Sequence, residues 1–367
     1  MSSKRPTLVY VGTYTEKLFF VDGKGEGIYV FALDPNRGAL TPVSIATGVR
    51  SPALLAVAPN GRYLYSVNEC DQIDGQPEGA VSAFAIDPAT GGLGFLNRQR
   101  SHGQYPAFVT VDATSRFVIV GNHENGSLAC YPVEPDGRLG DATEVIQHGG
   151  SSAHPQHQRG PHVHSVNLDP TNRFVVVCDK GIDRVVVYRL DHATGRLHPN
   201  DPPFASVAPG SGPRHLAFHP SGRYAFVINE LNATLTAFAF DPDTGALRER
   251  QTLPTLPASY AGRNFTADVH VHPSGRLVYG SNRGHDSLAV FAFDEVSGRL
   301  SARGHVSTQG AVPRAFNIDP TGRLLLAANQ NGDSIVAFFV DPDDGSLSPT
   351  GAVTHTPTPV CIRFLPR

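Results

Sequence analysis

Thr7-Leu-Val-Tyr-Val-Gly-Thr-Tyr14 and Pro359-Val-Cys-Ile-Arg-Phe-Leu-Pro366, near opposite ends of the chain, read as two halves of one unit. Elsewhere that unit is intact: an apolar run, a Pro-x-Gly-Arg-like turn, then a second apolar run. Six complete copies carry the turn at 59–62, 113–116, 170–173, 220–223, 273–276 and 320–323. A different turn occurs seven times, as Asp34-Pro-Asn-Arg-Gly-Ala-Leu40, Asp87-Pro-Ala-Thr-Gly-Gly-Leu93, Glu134-Pro-Asp-Gly-Arg-Leu139, Asp191-His-Ala-Thr-Gly-Arg-Leu197, Asp241-Pro-Asp-Thr-Gly-Ala-Leu247, Asp294-Glu-Val-Ser-Gly-Arg-Leu300 and Asp341-Pro-Asp-Asp-Gly-Ser-Leu347. Seven against six means that the missing copy is divided: 359–366 supplies the strand before its turn and 7–14 the strand after it. A period of roughly 50 residues with four short strands marks a propeller blade, and a blade assembled from both ends closes a ring. The predicted architecture is all-β: a seven-bladed β-propeller occupying 1–367 as a single domain, closed by the N- and C-terminal strands, with almost no helix.

Composition agrees with that reading. The 37 glycines and 30 prolines are what about four turns per blade require. Runs such as Arg173-Phe-Val-Val-Val-Cys178 and Asp183-Arg-Val-Val-Val-Tyr188 have the β-branched and aromatic content of strands. A net charge of −3 gives no basic face for nucleic acid or an anionic membrane. No apolar run approaches the ~20 residues of a membrane helix, and the opening residues lack the apolar core of a signal peptide. A cytoplasmic protein is therefore expected. Cys70, Cys130, Cys178 and Cys361 fall in separate blades without paired spacing, which suggests neither a disulfide framework nor a zinc site.

Aligning the blades on the Pro-x-Gly-Arg turn brings two columns of residues to one end of the ring. Six positions before the turn proline stand Ala53, Ala107, His164, Arg214, Ala267 and Arg314, with Val360 in the divided blade. Six positions after the turn arginine stand Asn68, Asn122, Asp179, Asn229, Asn282 and Asn329, matched by Thr13. That second column is nearly uniform and reads as structural, because an Asx side chain at a strand end bonds nearby backbone. The next position is not uniform: Glu69, His123, Lys180, Glu230, Arg283, Gln330 and Tyr14. A repeat keeps in every copy what its fold needs, so the variable column is free for function. His219-Pro220, His272-Pro273 and the seven Asp-Pro-x-Thr-Gly-x-Leu turns belong to the opposite end and read as turn chemistry.

One side of the mouth thus gathers Pro161-His-Val-His-Ser165, Gly212-Pro-Arg-His215 with Glu230, Asp268 with Arg283, and Arg314 with Gln330. Arginine suits a carboxylate or phosphate because its planar fork donates two parallel hydrogen bonds and stays charged. Histidine suits proton transfer near neutral pH. The expected partner is a small anionic lactone or carboxylate, with His164 the leading acid–base group; oligomeric state is not readable. The His-rich segment 151–161 could suggest a metal, but carboxylate or thiolate partners at ligand spacing are missing from it. A loop over the mouth is expected instead, with His154, His157 and Arg159 placed to close on substrate. Neither a metal nor a cofactor is expected.

The whole chain resembles the seven-bladed lactonase propellers of bacteria. The resemblance rests on Val9-Tyr-Val-Gly-Thr-Tyr-Thr15, Gly27-Ile-Tyr-Val-Phe31, His162-Val-His-Ser165, Gly212-Pro-Arg-His-Leu-Ala-Phe-His-Pro220, Val227-Ile-Asn-Glu-Leu-Asn232, Ala267-Asp-Val-His270 and Pro313-Arg-Ala-Phe-Asn317. That family contains 6-phosphogluconolactonases and is related to a fungal 3-carboxy-cis,cis-muconate lactonizing enzyme. The resemblance implies a metal-independent lactonase with His164, Arg214, Glu230 and Arg283 as catalytic residues. His162, Arg314, Asp268, Gln330, His123 and Glu69 are the expected substrate contacts. A muconate cycloisomerase and a non-catalytic binding scaffold are the alternatives. Whether Glu230 or His164 is the general base stays open, as Glu230 could instead orient Arg214. The first loop, 17–26, and the insertion at 151–161 depart from the better-known enterobacterial members.

Overall fold

The computed structural model describes residues 6–366. It contains seven four-stranded antiparallel sheets and one two-stranded hairpin, and no helix among the described residues. The composite blade runs outward as Pro359–Phe364, Thr7–Thr13, Gly27–Leu33 and Leu40–Thr47. Its closure is in register: Val9 faces Phe364, Tyr10 Arg363, Val11 Ile362 and Gly12 Cys361. The terminal strand is also tied sideways. Arg363 Nε donates to the Leu55 carbonyl of the second blade at 2.9 Å, and Asn317 Nδ2 of the seventh donates to the Ile362 carbonyl at 2.9 Å.

The second strands are almost wholly buried, and at every position in Phe117–Asn122, Phe174–Asp179 and Leu324–Asn329, because neighbouring blades cover both faces. That is why their sequences are apolar without alternation. Outermost strands such as Leu40–Thr47 alternate instead, one face meeting water.

The recurring acidic turn is built by its own side chain. Asp87 Oδ1 accepts from the Ala89 and Thr90 amides at 2.8 and 2.9 Å, and Gly91 follows at φ 77°. A Cβ there would meet only the Leu8 side chain, whose Cδ1 methyl can turn aside, so it is the angle that favours glycine. The Gly91 carbonyl accepts from Tyr10 of the preceding blade at 3.0 Å, and Tyr65–Gly137 and Tyr279–Gly345 repeat that staple. His219 and His272 brace turns as expected: each bonds a serine hydroxyl of its own turn and, through Nε2, the Gly275 or Gly322 carbonyl of the next.

At the other end the Asx column also has the structural part read from sequence. Asn68, Asn122, Asn282 and Asn329 donate to the carbonyls of Arg50, Ser101, Thr255 and Thr308, which holds the crossing segment leading into each innermost strand. The fourth blade has Asp179 because it needs an acceptor. The carboxylate receives the His162 and Gly181 amides and bonds His148 Nδ1 at 2.7 Å.

Candidate active site

Each functional side chain of the innermost strands sits at a β-bulge. Pairing passes from Val163 to Ser165, from Pro213 to His215 and from Pro313 to Ala315, leaving His164, Arg214 and Arg314 without a cross-strand partner. The sixth blade skips both Ala267 and Asp268. A bulge bends the strand and re-aims the extra residue. Here the skipped residue is the one six before the turn proline in the divided, third, fourth, fifth and seventh blades. The variable column meets it at the channel mouth, so every blade contributes: Tyr14, Glu69, His123, Lys180 with His164, Arg214 with Glu230, Arg283 with Asp268, and Arg314 with Gln330.

Glu230 ties three blades together. Its Oε2 accepts from Arg214 Nε at 2.8 Å and lies 3.2 Å from Arg283 Nη2, while Oε1 accepts from Lys180 Nζ at 3.2 Å. Burial would raise this carboxyl's pKa, but Lys180, Arg283 and Arg214 outweigh it and hold the group well below the usual range. Arg214 is 1 % exposed. Burial, with Arg283 and Arg314 nearby, brings its pKa down to about 9, so it is charged at neutral pH. Across the mouth Tyr14 Oη donates to Glu69 Oε2 at 2.7 Å, and Arg314 lies over the Tyr14 ring at 5.4 Å with Nη2 3.6 Å from Glu69 Oε1. Desolvation raises the pKa of Glu69, opposed by Arg314 and the Tyr14 hydroxyl.

His164 lies between these groups, 5 % exposed, with the rings of His123 and His215 edge-on at 5.2 Å each. Its Nδ1 is shut off from solvent without a hydrogen-bond partner, leaving Nε2 as the nitrogen that water or substrate can reach. Burial first, then Arg214 and His215, push its pKa well below the ordinary imidazole value, so the ring is neutral at pH 7. His162 acts at one remove: its ring stacks on His123 at 4.8 Å and its Nδ1 bonds the His123 carbonyl at 2.9 Å.

The structure therefore gathers His164, Arg214, Glu230, Arg283, Arg314, Glu69, His123 and His162 around one mouth. Two expected substrate contacts at the mouth are engaged within the protein. Asp268 is occupied by four donors: His215 Nδ1 and the Val269 amide on Oδ1, His270 Nε2 and the Phe316 amide on Oδ2. Gln330 turns its amide to Asn331. Lys180 and Tyr14 belong to the variable column without being among the expected site residues, and their pairs with Glu230 and Glu69 bring them into the site. His123, Glu124 and His162 bring three ligand-type atoms within 4.8 Å of one another. A neighbouring blade thus supplies the carboxylate that linear spacing did not reveal.

Two loops form the rim. Within 17–26, Lys17–Leu18 and Val21–Asp22 pair as a hairpin whose tip carries Phe19, 80 % exposed, and Phe20. Phe20 meets the Tyr14 ring at 5.5 Å and Phe19 meets Tyr105 at 5.5 Å. Segment 151–161 is pinned by the buried Gln158, whose Nε2 donates to the Lys180 carbonyl and whose Oε1 accepts the His154 amide, both at 2.8 Å. The bond to Lys180 ties this segment to the fourth blade, and the bond to His154 holds its own turn. A groove of about 610 Å³ lined by Thr47, Asp74, Phe95 and Arg98 lies elsewhere and gathers none of the mouth's histidines or arginines.

Fold and mouth together define a propeller with an enclosed, cation-rich, histidine-bearing centre suited to a small anion. The family profile described as "Lactonase, 7-bladed beta-propeller" matches residues 8–364, and the chain belongs to that family. It is 37 % identical over 356 residues to the 6-phosphogluconolactonase of Bacillus subtilis strain 168, covering 97 % of both chains. It is 33 % identical to the 6-phosphogluconolactonase of Formosa agariphila, with 85 % of this chain and 86 % of that one covered. The structure of Pseudomonas aeruginosa periplasmic gluconolactonase superposes with a TM-score of 0.91 at 34 % identity, covering 99 % of each chain.

Proposed function

We propose that this lactonase hydrolyses 6-phospho-D-glucono-1,5-lactone to 6-phosphogluconate in the cytoplasm. The observation carrying the reading is a buried His164, its Nδ1 without a hydrogen-bond partner, beside a floor of guanidinium and ammonium groups. The four cysteines, all free and buried, fit a reducing compartment. In the reaction His164 Nε2 takes a proton from water as its oxygen attacks the lactone carbonyl. Arg214 stabilises the oxyanion, and Arg283, Arg314 and Lys180 hold the phosphate. When the tetrahedral intermediate collapses, the ring C–O bond breaks and the leaving alkoxide recovers the proton from the imidazolium. The new carboxylic acid then loses its own proton to solvent. Glu230 is a poor base, since three cations already hold it in its charged form, and it orients them instead.

The test is turnover on three substrates: the phosphorylated lactone, D-glucono-1,5-lactone and a carboxylated muconate. The phosphorylated lactone should lead its unphosphorylated counterpart by about 10²-fold in kcat/KM, the worth of one or two charge-assisted bonds. No lactone hydrolysis sinks the reading, and muconate cyclisation alone transfers it to the cycloisomerase. A second prediction concerns charge. Burial and the surrounding cations lower the His164 pKa, so an anion neutralising those cations should raise it. Proton NMR titration is expected to place the free enzyme's His164 well below the ordinary range and to move it upward when 6-phosphogluconate is added.

A further inference from the structure

Arg214 has five N–H donors, and the protein itself occupies three. Nε–H goes to Glu230, and the two on Nη1 go to the Ala267 carbonyl and, at 3.1 Å, to His215 Nε2. Only the Nη2 pair is left for a ligand. An imidazole nitrogen accepts only as a lone pair, so His215 carries its proton on Nδ1 and donates it to Asp268 Oδ1 at 2.9 Å. Burial and Arg214 bring the His215 pKa down to about 4, against the pull of Asp268, which keeps that lone pair available at neutral pH. Asp268 is itself immobilised by His270 and two amides. Arg214 and His215 are consecutive, and an even strand would send them to opposite faces. Their mutual hydrogen bond exists because the bulge between Pro213 and His215 breaks the alternation.

We propose that Asp268 and His215 form a positioning relay that locks the Arg214 guanidinium, so that it presents its Nη2 edge alone and in one direction to the lactone oxyanion. The inference rests on the lactonase reading for the identity of the anion, and on the contacts above for the lock. It makes Asp268 and His215 positioning residues, since neither touches substrate. It also separates Arg214 from Arg283 and Arg314, which would act as clamps on the phosphate.

The experiment compares wild type with His215→Leu, His215→Asn and His215→Gln. Leucine and asparagine provide no acceptor within reach of Nη1, whereas the longer glutamine carbonyl does. Leu and Asn should lower kcat on 6-phospho-D-glucono-1,5-lactone by about 10²-fold with KM within about threefold, and Gln should recover at least about tenfold of that loss. Equal loss in Gln and Asn, or a loss confined to KM, overturns the relay. Should the leucine variant not fold, the Asn and Gln pair decides the question alone. Crystal structures give a readout independent of turnover: the Arg214 guanidinium should rotate in the Asn variant and hold its place in the Gln variant. An unmoved guanidinium in the Asn variant overturns the relay whatever the substrate proves to be. Rotation in a protein whose wild type lacks lactonase activity supports the relay and removes the lactonase reading.

Discussion

His164→Ala should lower kcat by about 10³-fold, within the range for loss of a general acid–base group, while the melting temperature moves by only a few degrees. Two opposing effects set the second half of that expectation. The substitution loses edge-on contacts with the His123 and His215 rings, each worth about 0.5–1.5 kcal/mol. It also removes a buried Nδ1 with no partner, a defect that costs about 1–3 kcal/mol while it stands. A structural histidine would show the opposite pattern, a large fall in melting temperature with modest loss of rate. Steady-state kinetics beside a thermal scan separate the two, and a kcat within tenfold of wild type would exclude His164 as the base.

Glu230→Ala should be the most destabilising change in the mouth, at about 3–5 kcal/mol, because removing one partner strands buried charges without compensation. Three cations share this carboxylate, Lys180, Arg214 and Arg283, all held in surroundings where burial disfavours their charge. The denaturant midpoint should therefore fall, and adding Lys180→Met, which removes one stranded charge, should restore part of the loss. If Glu230→Ala instead unfolds at the wild-type midpoint, the three cations do not depend on this carboxylate for their burial and its part as their common anchor falls. The acid side offers a related check. His164, His123 and His215 all have pKa values depressed by burial, so the unfolded chain binds more protons than the folded one below about pH 6.5. Their contribution is intact above that pH and is lost as pH falls, at up to about 1.4 kcal/mol per pH unit for each ring.

The ring was legible because repetition is a linear property: seven acidic turns against six complete Pro-x-Gly-Arg units already imply a divided blade. The two columns were legible for the same reason and include His164, Arg214, Glu230 and Arg283, but singling out those four took the resemblance to the lactonase propellers. What sequence does not carry is the exception to periodicity. The bulges that free His164, Arg214 and Arg314 look like ordinary strand, so nothing marked His215 as a companion of Arg214 rather than a residue of the opposite face. Partners across the channel were hidden too. Asp268 and Gln330 stood in the right places, but whether a carboxylate faces ligand or is saturated depends in part on neighbouring blades, which here supply His215 and the Phe316 amide. Lys180 and Tyr14 were visible as residues and acquired a meaning only once Glu230 and Glu69 were seen beside them.

The pairing of Pro359–Phe364 with Thr7–Thr13 joins an early-translated strand to a late one. This innermost strand is translated after every other strand described here, and it lies between the second and seventh blades, touching both. Glu69 comes from the former, Arg314 from the latter, and Tyr14 from the blade that the late strand completes. A ribosome-bound chain can therefore pair most of its sheets while their inner edges still gape at one seam. Arg314, Tyr14 and Glu69 come together only when that seam shuts, whereas Lys180, Arg214, Glu230 and Arg283 sit on blades away from it.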